Sequence, residues 1–199
     1  MSEEEQKRIA ILDRAKLPQM YPTHLHEPVF WEQLGRTIAT YGFLEEVLGK
    51  AIFAFTATRQ YSNLEEATAA YEAWLPTLEH ALKDTLVKLA DSYLKATREN
   101  PKTTTTNVAD LVEAIKSAAS TRNVLCHGFW RTPEKNGASI PFFVNQKMEF
   151  WDTAIDVQYL QKVQAHVVDL ACTVIDTVTH MGWQFPGGAG PGKPIWTKD

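Results

Sequence analysis

The sequence predicts an all-α fold, an antiparallel bundle of four main helices with a short β-hairpin inserted before the last helix. Three observations lead to this prediction. Apolar residues recur every three or four positions along four long segments, which is typical of helices that bury one face. Prolines and glycines separate these segments, and most connections are short, as in antiparallel bundles. The composition, 44% hydrophobic and 22% charged, is that of a globular protein with a core.

The first two helices are predicted from a cap and from the spacing of prolines. Ser2 and Glu5 have the spacing of a capping box and predict a short helix that ends at about Ala15. Prolines then interrupt the chain until Pro28. Residues 29–58 contain no proline and keep a continuous apolar stripe, which predicts a long amphipathic helix.

Three glycines lie at intervals of seven residues on this long helix. Gly35, Gly42 and Gly49 therefore fall on nearly one face. Each costs about 1 kcal/mol of helix propensity relative to alanine, and a close helix contact would offset that cost. We expect the contact to lie within the chain, with a second subunit as the alternative.

Two further helices follow. The segment from Asn63 to Asn100 is predicted to be helical with a kink or restart at Pro76. Residues 108–127 predict the next helix, and Gly128 is a natural stop.

The segment from about residue 129 to 151 is predicted to form the β insertion. It contains a turn sequence from Pro133 to Gly137, with residues 148–151 as a candidate third short strand. Apolar residues flank the turn on both sides: Phe129, Trp130, Ile140, Phe142 and Val144. The last helix is predicted over residues 156–181.

These elements predict one helical domain over residues 1–181 and a glycine- and proline-rich tail over residues 182–199. Trp183, Phe185 and Trp196 are expected to anchor the tail on its own domain, and a strap that binds a partner is the alternative. Cys126 and Cys172 lie in apolar helical stretches and are expected to be unpaired core residues.

Charge and hydropathy exclude several classes of protein. The 24 acidic and 20 basic side chains give a net charge of −4, which argues against coating of nucleic acid by bulk charge but leaves a local basic site open. The longest apolar run, residues 51–55, is far shorter than the roughly 20 residues of a membrane helix. The acidic N-terminal sequence has no feature of a targeting signal. We expect a cytoplasmic protein without membrane contact.

Candidate chemistry concentrates near the end of the third bundle helix. Arg122, Asn123 and His127 lie within six residues of one another. A guanidinium binds a phosphate through two hydrogen bonds, and an imidazole transfers protons near neutral pH. These are the two functions needed to cleave RNA without a metal ion.

Helix geometry tests this grouping. Arg122 and His127 are about 140° apart on an ideal helix, so they share a face only if the last turn unwinds, which Gly128 permits. Asn123 and His127 are four residues apart and do share a face.

The pattern Arg122-Asn123-x3-His127 resembles the Arg-x4-6-His motif of the HEPN superfamily (higher eukaryotes and prokaryotes nucleotide-binding domains), and the helix order over residues 28–181 is also similar. The resemblance implies an all-α bundle that forms a homodimer, with two copies of the motif lining one cleft. It implies a metal-independent endoribonuclease of the toxin, defence or RNA-processing type, in which Arg122, Asn123 and His127 form the site. RNA is then the substrate and an antitoxin or other protein the partner. No cofactor is expected.

Three alternatives stay open. The chain is alternatively a non-catalytic helical interaction module that binds a nucleotide, RNA or a protein. In a second alternative, Arg122 only complements the C-terminal end of its helix and His127 only caps it. A metal site formed by His24, His26 and Glu27 is a further alternative, although these ligands lie in a proline-flanked loop.

Overall fold

The computed structural model describes residues 12–58 and 84–195, together with 62–63, 65–66, 68–70, 72 and 76. Its named elements in these residues are a short 3-10 helix (Arg14–Lys16) and four α-helices. The α-helices are α1 (Pro28–Ala57), α2 (Leu86–Glu99), α3 (Val108–His127) and α4 (Val157–Thr179). The mostly helical prediction is confirmed. Within the described part of the chain, no helix is long and apolar enough to cross a membrane.

The helix ends follow local chemistry. Pro28 occupies the first turn of α1, where a missing N–H costs nothing. Asp156 caps α4, because its carboxylate accepts a hydrogen bond of 2.7 Å from the Tyr159 N–H. The segment predicted as a helix from Asn63 to Asn100 is interrupted at residues 84 and 85, which are not helical. Most of the predicted first helix lies outside the described residues.

The helices pack around one hydrophobic core. Helix α1 packs mainly against α4 and also against α2, while α3 packs mainly against α2. The largest fully buried side chains come from all four helices and include Tyr41, Tyr93, Phe30, Phe55, Leu44, Leu48, Ile115 and Leu160. The apolar stripes of the sequence therefore meet in this core.

Asn100 joins the C-terminal ends of α1 and α2. Its buried amide donates hydrogen bonds to the carbonyl of Phe55 (2.6 Å) and the hydroxyl of Thr58 (2.9 Å). Its carbonyl oxygen accepts from the Lys102 N–H at 2.9 Å. Helix ends leave backbone carbonyls without partners, and this side chain satisfies one of them.

The predicted β-hairpin is not formed. Among the residues that the structure describes, the segment after α3 contains only isolated antiparallel bridges and no regular strand. The bridges join Phe129 with Phe142, Val144 with Phe150, and Ser139 with Ile155. Pro133 and Pro141 carry no N–H, so two donors of a regular ladder are missing. The candidate third strand is likewise reduced to the single bridge at Phe150.

The glycine face of α1 is open. A Cβ built on Gly35, Gly42 or Gly49 meets no atom within 4 Å in the described part of the chain. None of the helices in the described residues makes the expected close contact with this face. The physical reason is that α2 and α4 pack on the apolar stripe of α1, which lies on a different face.

Replacing Gly42 by alanine is expected to raise the free energy of unfolding by about 1 kcal/mol. Alanine restores helix propensity and restricts the unfolded chain, and nothing in the described structure obstructs its methyl group. Urea unfolding of the variant and the natural chain measures the difference. A loss of stability would show that another molecule covers this face.

The tail is anchored on the core, as predicted. Trp183, Phe185 and Ile195 are partly buried against it. Lys102 Nζ lies 5.7 Å from the ring centroid of Trp183. Gly192, at φ +112°, passes so close to Trp183 that a Cβ there would lie 2.6 Å from its carbonyl carbon. Trp196 lies outside the described residues.

The two cysteines are unpaired, as predicted, but neither is in the core. Cys126 and Cys172 are both exposed. The buried stripes of α3 and α4 run through other residues.

Candidate functional site

An open groove of about 1030 Å³ lies between three parts of the chain. Its walls are the second half of α3, the first residues of α2 and the segment 143–151. Arg122, Asn123 and His127 all line it. The structure thus brings the three predicted site residues to one cavity.

Helix α3 is regular up to His127, so its last turn does not unwind. The Gly128 N–H donates to the Val124 carbonyl at 2.8 Å and ends the helix, with Gly128 itself extended (φ −67°). Asn123 and His127 share one face at a spacing of four residues, and both are exposed. Arg122 lies at the edge of this face. A groove of this size therefore accommodates all three side chains without unwinding.

Arg122 contacts a carboxylate on α1. Its Nη2 atom lies 4.0 Å from Glu45 Oε1, and both side chains are about one-third exposed (37% and 31%). A partly exposed ion pair at this distance stabilises a protein little. The guanidinium therefore keeps donors available for a ligand in the groove. Glu46 instead pairs with Lys50 at 2.6 Å.

Tyr41 lies one helical turn before Glu45 and close enough to Arg122 to experience its charge. The tyrosine is 1% exposed, and its hydroxyl has no hydrogen-bond partner in the described structure. Burial raises the pKa of Tyr41 well above its ordinary value. Tyr159 and Cys126 raise this pKa further, and Arg122 opposes the shift. The phenol is therefore neutral and unpaired.

Replacing Tyr41 by phenylalanine is expected to preserve stability or raise it by up to about 1 kcal/mol, because a buried unpaired hydroxyl is removed. Tyr93 is the matched control. Its buried hydroxyl lies 2.8 Å from the Thr177 hydroxyl, so Tyr93→Phe should lower the free energy of unfolding by about 1 kcal/mol. Urea unfolding of both variants measures the two stability changes. Equal losses in the free energy of unfolding would contradict the prediction.

The opposite wall of the groove was missed by sequence reasoning. It includes Lys147 and Glu149, and the N-terminal end of α2 adjoins it at Thr85. The Thr85 side chain makes no capping hydrogen bond, and a helix N-terminus favours negative charge. No short motif marks these residues, because their proximity to α3 arises only when the helices pack.

The wall ends in a turn that is held by its own hydrogen bonds. Asn145 Oδ1 accepts from the N–H groups of Lys147 (2.9 Å) and Glu149 (3.0 Å). Asn145 Nδ2 donates to the Glu149 carboxylate at 2.7 Å. Residues 145–149 therefore form a locally closed turn.

The alternative metal ligands are not assembled into a site. His26 is 8% exposed and stacks on Phe30 at 4.4 Å between ring centroids, with Trp31 and Trp130 at its edges. Within the described ranges, no group of three or more His, Cys, Asp and Glu side chains could hold a metal ion. His26 belongs to an aromatic cluster instead.

The stability of the protein is expected to fall in mild acid through His26. Burial lowers the pKa of His26 below its ordinary value of 6.5. The unfolded chain therefore binds a proton at a pH where the folded chain does not, and stability present above about pH 6.5 is lost below it. His26→Phe should lose less thermal stability between pH 8 and pH 5 than the natural chain. Identical losses in thermal scans would contradict this.

No protein-family model matches the chain, and neither a curated protein nor a solved structure matches it. The groove combines a guanidinium and an imidazole from one helix, α3.

Proposed function

We propose that this chain is a HEPN-like, metal-independent endoribonuclease of the toxin, defence or RNA-processing type, and that it acts as a homodimer. The observation that supports this most is that Arg122, Asn123 and His127 line the same open groove. The groove offers a phosphate-binding cation and a proton-transferring group to one ligand.

The proposed reaction needs no external cofactor. The 2′-oxygen of the RNA attacks the adjacent phosphorus, and the 5′-oxygen leaves, which gives a 2′,3′-cyclic phosphate and a 5′-hydroxyl. His127 takes the proton from the 2′-hydroxyl or gives one to the leaving oxygen. Arg122 stabilises the negative charge that grows on the phosphoryl oxygens. Asn123 orients the imidazole or contacts the phosphate.

A homodimer would complete this chemistry. Cleavage involves two proton transfers, one at each oxygen, and one imidazole performs both only if it changes its protonation state between them. We propose that each chain is an antiparallel helical bundle and that the grooves of two chains form one composite cleft. The His127 of the second chain then performs the other proton transfer.

The charges around the groove are consistent with a phosphate ligand. Lys147 adds a cation and the N-terminus of α2 adds a partial positive charge, while Glu149 is the acidic residue among the lining side chains. The lining side chains thus carry two cations, Arg122 and Lys147, and one carboxylate, in a chain whose net charge is −4.

The test is cleavage of end-labelled RNAs, structured and unstructured, by the purified chain in EDTA. Products ending in 2′,3′-cyclic phosphate are expected. Arg122→Ala should lose most of this activity, whereas Arg98→Ala, an exposed arginine in the last turn of α2, should retain it. Cleavage that requires added metal, or equal cleavage by both variants, would refute the proposal.

One observation favours the second candidate, a non-catalytic module that binds nucleotide, RNA or a protein through the same groove. Glu45 lies 4.0 Å from the Arg122 guanidinium and offsets part of the positive charge that would stabilise the transition state of cleavage. Binding of RNA without any cleavage would identify this candidate.

A further inference from the structure

Residues 129–151 present three exposed phenylalanines on one side. Phe129, Phe142 and Phe150 are 68%, 46% and 64% exposed. Phe129 and Phe142 exchange two backbone hydrogen bonds (3.0 and 2.8 Å), and the ring centroids of Phe142 and Phe150 are 5.9 Å apart. Directly paired residues project to the same face of an extended pair. We call these three residues the phenylalanine row.

The alternate residues of the same segment face the core. Trp130, Phe143 and Trp151 are partly buried against it. These inward side chains attach the segment to the helices, so the phenylalanine row is not needed for that attachment. Exposed apolar rings grouped in this way indicate a binding surface.

The row is continuous with the groove. Phe150 lines the groove together with Arg122 and His127, and its ring contacts that of Phe142. Cations flank the row, because the guanidinium carbon of Arg131 lies 5.2 Å from the Phe142 ring centroid and Lys147 lines the groove. A row of aromatic rings thus leads away from the phosphate-handling residues.

We propose that the phenylalanine row stacks the bases of single-stranded RNA whose backbone enters the groove. This inference rests on the proposed function and specifies its substrate class. Aromatic faces beside cations are the chemistry that recognises unpaired bases, because every base offers a π-face and the backbone is anionic. The bases of a duplex are already stacked on one another and cannot reach the rings.

A second copy of the chain fits the row less well. The three phenylalanines expose roughly 350 Å², at about 200 Å² for a whole side chain. This is less than half of the roughly 800 Å² that each partner contributes to a stable interface. The charged and polar residues beside the row also favour a nucleic acid over an apolar protein surface.

The test measures RNA binding in the His127→Ala background, so that cleavage does not interfere. The probes are a fluorescein-labelled 12-nucleotide single strand and a hairpin duplex, compared by anisotropy. Phe129→Leu and Phe142→Leu should each weaken single-strand binding about tenfold and leave duplex binding unchanged. Phe43→Leu, at a phenylalanine that is 45% exposed on α1, is the matched control and should bind normally.

Two results would overturn the inference. One is that the row variants bind the single strand as tightly as the Phe43→Leu control does. The other is that the chain with an unsubstituted row binds the duplex as tightly as it binds the single strand. In the first case, a change in self-association of the row variants in sedimentation would identify the row as a contact between copies.

Cleavage by the chain with His127 intact separates this inference from the proposed function. If that chain cuts RNA and Phe142→Leu binds and cuts equally well, the row has no role and the nuclease proposal stands. If single-strand binding depends on the row but no RNA is cut, the nuclease proposal fails and the row inference stands. Absence of all RNA binding would refute both.

Discussion

Replacing His127 by alanine is expected to lower the rate of RNA cleavage by a factor of about 10²–10⁴, the usual contribution of a general acid or base. The side chain is exposed at the end of α3 and lines the groove. Its removal therefore deprives the groove of a proton-transferring group and leaves the hydrophobic core intact. Initial rates on labelled RNA in EDTA give the ratio. Urea unfolding should show no change larger than about 0.5 kcal/mol, as for other surface substitutions.

The matched control is His166→Ala. His166 is also an exposed histidine on a helix, α4, and it does not line the groove. It should cleave at the full rate. If His127→Ala and the natural chain cleave equally, the activity comes from a contaminating nuclease and the assignment of His127 is wrong.

Replacing Gly128 by alanine is expected to lower the free energy of unfolding by about 1–3 kcal/mol, the usual cost of overpacking. The backbone of Gly128 suits any residue, at φ −67°. However, a Cβ there would lie 2.6 Å from the Val124 carbonyl oxygen and 2.9 Å from Pro141 Cβ. The helix end and the following segment must move apart to accept it.

The same substitution should also reduce cleavage. Gly128 follows His127 directly, so this movement shifts the imidazole, and misplacement by about 1 Å costs an enzyme on the order of 100-fold. Unfolding curves and cleavage rates are measured on the same variant. Gly42→Ala is the control, because it is expected to raise the free energy of unfolding rather than lower it. An unchanged unfolding midpoint would show that the segment after Gly128 moves aside with no loss of stability, which would contradict the prediction.

Helix periodicity predicted the main elements closely. The proline-free segment 29–58 corresponds to α1 (Pro28–Ala57), and residues 156–181 correspond to α4 (Val157–Thr179). These bounds depend on local signals such as Pro28 and Asp156, which act within one turn of the helix.

The errors concern contacts between distant parts of the chain. Gly42 and Cys172 were each expected to be covered by neighbouring elements, and both are exposed. Which face of a helix is covered depends on where its neighbours pack, and a single apolar stripe does not report this. The hairpin was predicted from its turn sequence, whereas Pro133 and Pro141 limit its backbone pairing to isolated bridges.

Sequence reasoning identified one half of the candidate site. Arg122, Asn123 and His127 lie on a single helix, so their spacing is readable from the chain. Lys147 and the N-terminus of α2 reach the groove only through packing, and sequence spacing gives no signal for them.

The closed turn at residues 145–149 affects how this protein can evolve. Its hydrogen bonds are made among Asn145, Lys147 and Glu149, and all five residues are exposed. Mutations at its tip therefore alter one wall of the groove with little effect on the helical core. Such mutations leave the Arg122 and His127 side chains of α3 in place on the opposite wall.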